Sequence, residues 1–494
     1  MRLTQFILLF FLLVLPNACR EASDITISDT LPPIYPDYIN VTIPVNIAPL
    51  NFMITEAEAL DVGLTTRGET LTLKGRNKIR IPLRKWRSLI IKASENQQVI
   101  TVSVRARIQG QWYEYQPFSW NVTAHAVDPY LSYRLIEPGY EVWKSIQLAE
   151  RNIENFGERI IADNHLTENS CMNCHTYGNQ DPGLSFFHMR GPGGGTVLNR
   201  NGELRKLNIF TEGMISPVVY GNFHPSGRYA VYSTNLVLPG FHSLKGERLE
   251  VYDQASDLVI VDLDQNRIIP FPEGFPVEFR TFPVFSAQGD AVYYCNAPQL
   301  TVPDSIFHLR YDLLRIGFDP ATGTWGNRAD TVVRAAASGL SVCHPKTSPD
   351  GKYLMYTVAD YGTFPIWHQE TDLWLLNLAT GETDCLADIN SSYSDTYHSW
   401  SSDSRWFVFA SKRDDGLYGK PYFCYIDPEG NVHKPFVLPQ KDPDMYRHTL
   451  KSYNIPELSR GKLPFGATDI ERLYKRVPAE NVSIKQQVGH EQGI

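Results

Sequence analysis

The hydrophobic pattern changes character several times along the chain. Residues 6–15 form an unbroken apolar run after Arg2. The run is too short to cross a bilayer and suits the core of a signal peptide. It ends at Leu15-Pro16-Asn17-Ala18-Cys19, which predicts a lipoprotein-type leader over residues 1–19 with Cys19 as the lipidated residue. Plain secretion is the alternative. Residues 20–36 read as a polar linker. Over residues 37–126 apolar and polar positions alternate, most plainly where Ile100, Val102, Val104, Ala106 and Ile108 share one face with Thr101, Ser103, Arg105 and Arg107 on the other. Period-two alternation is the mark of half-buried antiparallel strands. Stretches 70–73, 78–83, 88–92, 112–115 and 118–122 read the same way, predicting a small β-sandwich of immunoglobulin-like type.

From residue 127 the strands lengthen and the pattern begins to repeat. Phe223-His224-Pro225-Ser226-Gly227-Arg228-Tyr229 is matched by Phe285-Ser286-Ala287-Gln288-Gly289-Asp290-Ala291, then by copies beginning at Thr347 and Trp400. The copies start 62, 62 and 53 residues apart, a blade-sized period. Each is a strand, a turn of Asp-Gly type and an apolar or aromatic strand. Outer strands follow at 257–262 and 372–377. Four strands per unit arranged radially make a β-propeller, which protects its edges by closing a ring. The expected fold is therefore all-β: the small sandwich, then a propeller of about six blades over residues 127–440. Residues 128–215 and the tail would supply the blades beyond the four clear copies. The glycine-rich stretch 191–195 reads as a tight turn, since no βαβ unit surrounds it. In the tail, residues 441–494, Thr468 to Glu471 reads as a capping box opening a short helix with Ile470, Leu473, Tyr474 and Val477 on one face.

Composition adds two constraints. The 494 residues carry 46 Lys and Arg against 54 Asp and Glu, a formal charge of -8, which argues against a nucleic-acid partner. There are seven cysteines. In an oxidising compartment Cys295, Cys343, Cys385 and Cys424 would form either two disulfides or a set of buried thiols.

The remaining pair belongs to Cys171-Met172-Asn173-Cys174-His175, a C-x-x-C-H sequence that reads as a c-type haem attachment site. In such a site both thiols add across haem vinyl groups and the adjacent imidazole becomes the proximal iron ligand. A redox dithiol would require a thioredoxin-like βαβ setting, and a zinc site a second ligand pair; the sequence offers neither. One motif means one haem, in an insertion near residues 165–190. His188 is the expected distal ligand, with Met189 and His224 as alternatives and His165 and Met214 as further neighbours. Arg190 is the expected partner of a haem propionate. His344 and His398 fall where they would line the axial channel. No G-x-S-x-G elbow or other catalytic constellation is present.

The hairpin Ser348-Pro349-Asp350-Gly351-Lys352-Tyr353, with the later strand Asp372-Leu373-Trp374-Leu375-Leu376-Asn377, resembles the propeller repeat of the TolB family. The C-x-x-C-H motif, Phe187 to Thr196 and His224 to Tyr229 together resemble a group of exported TolB-like lipoproteins often labelled cytochrome c biosynthesis or translocation proteins. That resemblance and the residue reading together imply a monohaem c-type cytochrome of the cell envelope, periplasmic or at the cell surface. It would serve electron transfer or redox sensing as a carrier or binding scaffold rather than an enzyme. Its partners would be a redox or other envelope protein and, through a lipid anchor, the membrane. The alternative is a protein-interaction or translocation scaffold with a structural haem.

Overall fold

The computed structural model describes residues 25–95, 99–137, 145–241 and 249–484. The expected leader over residues 1–19, Cys19 included, lies outside these residues. No helix among the described residues is long and apolar enough to cross a membrane.

The N-terminal domain is a seven-stranded sheet in which Ile25–Ile27, Gln111–Glu114, Val99–Ile108, Ala59–Thr66 and Glu69–Gly75 are neighbours in that order. Phe118–Thr123 pairs with Val99–Ile108 and with Thr42–Pro44. The alternation works as read, since Ile100, Val102, Val104 and Ala106 are buried and their neighbours exposed. Three expectations are corrected here. The domain is one seven-stranded sheet covered by a helix and a short ribbon, not an immunoglobulin-like sandwich of two sheets. Ile25–Ile27, assigned to a linker, is an edge strand paired with Gln111–Glu114. Residues 88–92, read as a strand, lie in the helix Leu83–Ser94. Trp86, Leu89, Ile90 and Ala93 follow helical spacing and are buried. The second layer of the domain is this helix with the two-stranded ribbon of Phe52–Met53 and Lys78–Ile79, and Trp86 meets Trp120 edge-on at 5.7 Å.

The rest of the chain is a six-bladed propeller. Blades 2 to 6 run in sequence from inner to outer strand, with inner strands Met172–Gly178, Val218–Phe223, Glu278–Phe285, Ser341–Thr347 and Asp395–Trp400. Blade 1 takes three strands from residues 130–163 and its inner strand from the tail, Ser452–Ser459, which pairs antiparallel with Tyr130–Ile136. The repeat thus does not stop at residue 440. Two segments more than 300 residues apart zip the ring shut, removing the open ends that a linear array of blades would leave. The glycine-rich stretch is the turn between the second and third strands of blade 2. The tail helix is Ala467–Arg476; the Asp469 carboxylate accepts from the Gly466 backbone N–H, and Ile470, Leu473 and Tyr474 are buried while Val477 lies just beyond it.

The N-terminal domain packs against blade 6. Trp406, fully buried, donates its indole N–H to the His125 carbonyl at 3.0 Å, and Asn51 donates to the Gln440 carbonyl at 3.1 Å.

Candidate functional site

Each inner strand loses register at one point near the propeller axis. There two residues oppose one on the neighbouring strand, as in a β-bulge, and the first has a left-handed backbone. These residues are Cys174 (φ 59°), Tyr220 (45°), Phe282 (50°), His344 (50°), Tyr397 (50°) and Ile455 (54°). A bulge sharpens the local twist and re-aims side chains, and these six form a ring around the axis. Tyr220 to Phe282 is 4.4 Å, Phe282 to His344 is 4.4 Å and His344 stacks on Tyr397 at 4.7 Å. Cys174 and Ile455 complete it. The sequence carries a partial signal of this geometry: Pro283, Pro345 and Pro456 follow three of the six positions, and proline inside a central strand marks a bulge.

A cavity of about 790 Å³ runs along the axis, within the range of about 300–1,000 Å³ typical of small-molecule sites. Cys171, Cys174, His175, His188 and Arg190 all line it, as do His344 and His398. Cys171 sits just before the inner strand of blade 2, its carbonyl accepting from the Arg190 backbone N–H at 2.9 Å. Burial pushes the Cys171 thiol up to about 11 and raises that of Cys174, so both are held as thiols, unlike the thiolates of a redox-active pair. Among the described residues no three His, Cys, Asp or Glu converge on a bare metal ion.

The two imidazoles differ in setting. Both nitrogens of His175 are buried; the backbones of Ser132 and Ile455 are near enough to act on the ring, but neither makes a well-formed hydrogen bond with it, and burial depresses its pKa to about 3. His175 turns toward blade 1, lining a small gap with Ser132, Leu148 and Phe187. His188 turns the other way, toward blade 3, with its ring 5.7 Å from that of Tyr232. Its Nδ1 is 2.9 Å from the Thr196 hydroxyl and its Nε2 has no partner. The expected axial pair therefore occupies opposite faces of the blade 2 sheet. The cause is the bulge: Asn173 is opposite His188 and Thr176 opposite Phe186, so Cys174 and His175 together oppose Phe187. The next alternatives do not reach the cavity. Met189 packs with Met172, Ile161 and Phe187 between blades 1 and 2. His224 is a turn residue whose Nε2 donates to the Gly289 carbonyl at 3.0 Å and whose Nδ1 accepts from the Ser226 backbone N–H. His165 is exposed beside Asp163, and Met214 packs at the edge of the core between blades 2 and 3.

Sequence reasoning missed Arg134, which lines the cavity beside the motif and donates to the Asn173 side chain. It also missed Lys346, paired with Glu457 at 2.9 Å on the cavity wall. Nothing in spacing marks either. Arg134 and Arg190 are close enough for their charges to act on both motif thiols. None of the described cysteines forms a disulfide; Cys295, Cys343 and Cys424 are buried on strands and Cys385 is half-buried.

No family model matches the chain, and no curated protein matches it. Among solved structures it is similar to an oligogalacturonate lyase from Vibrio parahaemolyticus, at 10% identity over 61% of this chain and 78% of that one, with a TM-score of 0.36. An oligogalacturonate lyase in complex with manganese matches at 15% identity over 61% and 73% of the two chains, with a TM-score of 0.36. A puromycin hydrolase matches at 12% identity over 62% and 45%, with a TM-score of 0.33.

Proposed function

We propose that the axial cavity holds one haem c, attached through Cys171 and Cys174 with His175 on the iron, in an exported, membrane-anchored electron carrier or redox sensor. The observation that carries this reading is that Cys171, Cys174 and His175 all line one cavity of about 790 Å³. A ligand to a His175 nitrogen would supply the well-formed bond that the buried ring lacks. Arg134 and Arg190 supply positive charge beside the motif for carboxylate side groups. When bound, a haem supplies one-electron chemistry; the chain's part is to fix it covalently, shield it among apolar walls and set its charge environment. With His188 on the far face of the sheet, His175 is the sole protein ligand in this proposal.

The test is purification from a host competent to attach haem c, followed by haem staining on a denaturing gel. A stained band that disappears in Cys171→Ser/Cys174→Ala is expected. Colourless wild-type protein sinks the proposal.

A second reading, an interaction scaffold, is favoured by one observation: the ring position of Cys174 is filled in the other five blades by Tyr220, Phe282, His344, Tyr397 and Ile455, none of them a thiol. Under it Cys174 is a small apolar packing group, and thiol removal leaves cellular function and partner capture intact.

A further inference from the structure

Residues 70–94 contain eight Lys or Arg and no Asp or Glu, in a chain whose formal total is -8. The segment ends in the helix Leu83–Ser94, whose buried side faces the sheet. Arg84, Lys85 and Arg87 are exposed, and so is Ile91, at 54%. Some of the charge is already matched, because Lys78 and Arg80 pair with Asp442, and Lys92 pairs with Glu69. Lys74, Arg76, Arg84, Lys85 and Arg87 make no ion pair among the described residues.

We propose that this helix face docks on a bilayer containing anionic phospholipid, with head groups against the cations and Ile91 dipping into the acyl boundary. Cations around an exposed apolar side chain are the pattern of an interfacial helix, whereas an acidic protein surface would not call for Ile91. Ile27, Glu114, Arg105, Asp61 and Lys74 stand in one row across the sheet, so the chain enters four strand spacings, about 19 Å, from Lys74 at the start of the basic segment. The six residues from Cys19 to Ile25 span at most about 20 Å. A lipid on Cys19, the one part of this that rests on the expected anchor, would keep the domain within about 20 Å of a membrane surface.

The test is cosedimentation of the full chain, carrying Cys19→Ser throughout so that no acyl group contributes, with phosphatidylcholine vesicles containing or lacking phosphatidylglycerol. Each cation near an anionic surface is worth roughly fivefold in partitioning, so Arg84→Glu/Lys85→Glu/Arg87→Glu should cost about a hundredfold, and high salt should weaken binding in the same direction. Ile91→Asp should weaken binding further; unchanged binding would overturn its insertion. Equal affinity for both vesicle types, no binding to either, or a charge-reversed variant that binds like the parent would overturn the docking. Circular dichroism checks that the exposed substitutions leave the fold intact. The haem reading stands or falls separately, since none of these residues lines the axial cavity.

Discussion

Replacing Asp253 with asparagine should make the protein markedly more stable at neutral pH and change little in acid. Asp253 lies on the third strand of blade 3, Leu249–Asp262, and is fully buried. One carboxylate oxygen accepts from Asn235 at 2.8 Å and the other has no partner. Asn235 in turn lines the axial cavity. Burial raises this carboxyl from its ordinary 3.8 to about 7, opposed only by the Asn235 hydrogen bond. The folded state therefore keeps a proton that the unfolded chain releases near pH 4. Stability falls as pH rises from about 4 to about 7 and then levels off, because the unfolded state binds fewer protons across that window. Three pH units at 1.36 kcal/mol each set a ceiling of about 4 kcal/mol, and relaxation around a buried charge brings the expectation to about 2–4 kcal/mol. The amide of Asp253→Asn keeps an acceptor for Asn235 and never ionises. Denaturant melts of both proteins at pH 4.5 and pH 8 give the answer, since every other titrating group cancels in the difference. Parallel pH profiles would refute the argument.

Three further outcomes test the site and its scaffold. His188→Ala should leave the haem spectrum of the loaded protein unchanged; a shift from a low-spin to a high-spin spectrum would show that His188 reaches iron after all. His224→Ala should cost about 2–3 kcal/mol in a urea melt with no spectral change, because it removes the bonds to Gly289 and Ser226 and the edge contact with Phe285 at 5.0 Å. Gly289→Ala should destabilise well beyond Gly381→Ala. Both have a left-handed backbone, worth about 1–2 kcal/mol for alanine, but a Cβ at Gly289 would lie 2.2 Å from His224 Nε2 while that at Gly381 meets open space. Equal melting shifts would show that the contact relaxes freely.

What could be read from the chain divides along the range of the interactions. Four blades were legible because their turns are local: Gly227, Gly289 and Gly351 take φ of 71–78° at one point of each hairpin, and Ser404 takes 60° in the fourth. Blade 2 was hidden because Asn179 and Gln180 make its turn without glycine, at φ of 52° and 54°. Blade 1 was hidden because its inner strand comes from residues more than 300 positions away, and no periodicity spans such a gap. The helix Leu83–Ser94 was misread as a strand over 88–92, although Pro82 and the spacing of Trp86, Leu89, Ile90 and Ala93 mark it. For the site, the motif was legible and its neighbours on the axis were not. Strand alternation puts His188 and Met189 on opposite faces, and the structure has them so. Relating either to His175 needed the bulge at Cys174, which depends on closure of the whole ring.

That bulge also supplies the cleanest separation of the two functional readings. Five unrelated side chains adopt the same left-handed geometry as Cys174, with φ of 45–54°, so the propeller imposes the conformation and the thiol does not create it. A left-handed backbone costs a non-glycine residue about 1–2 kcal/mol, while glycine there forfeits only its chain entropy and the packing of one sulfur. Cys174→Gly combined with Cys171→Ser should accordingly melt within a few degrees of wild type, whereas Cys174→Ala keeps the backbone strain and loses the sulfur contacts. A well-folded glycine variant without a haem-stained band, beside a stained wild type, would tie the thiols to cofactor attachment independently of stability. The same variant retaining covalent haem would end the thioether assignment. A large loss of stability would mean instead that the Cys174 sulfur is itself needed to complete the ring of Tyr220, Phe282, His344, Tyr397 and Ile455, and would refute the view that the propeller imposes the conformation without it.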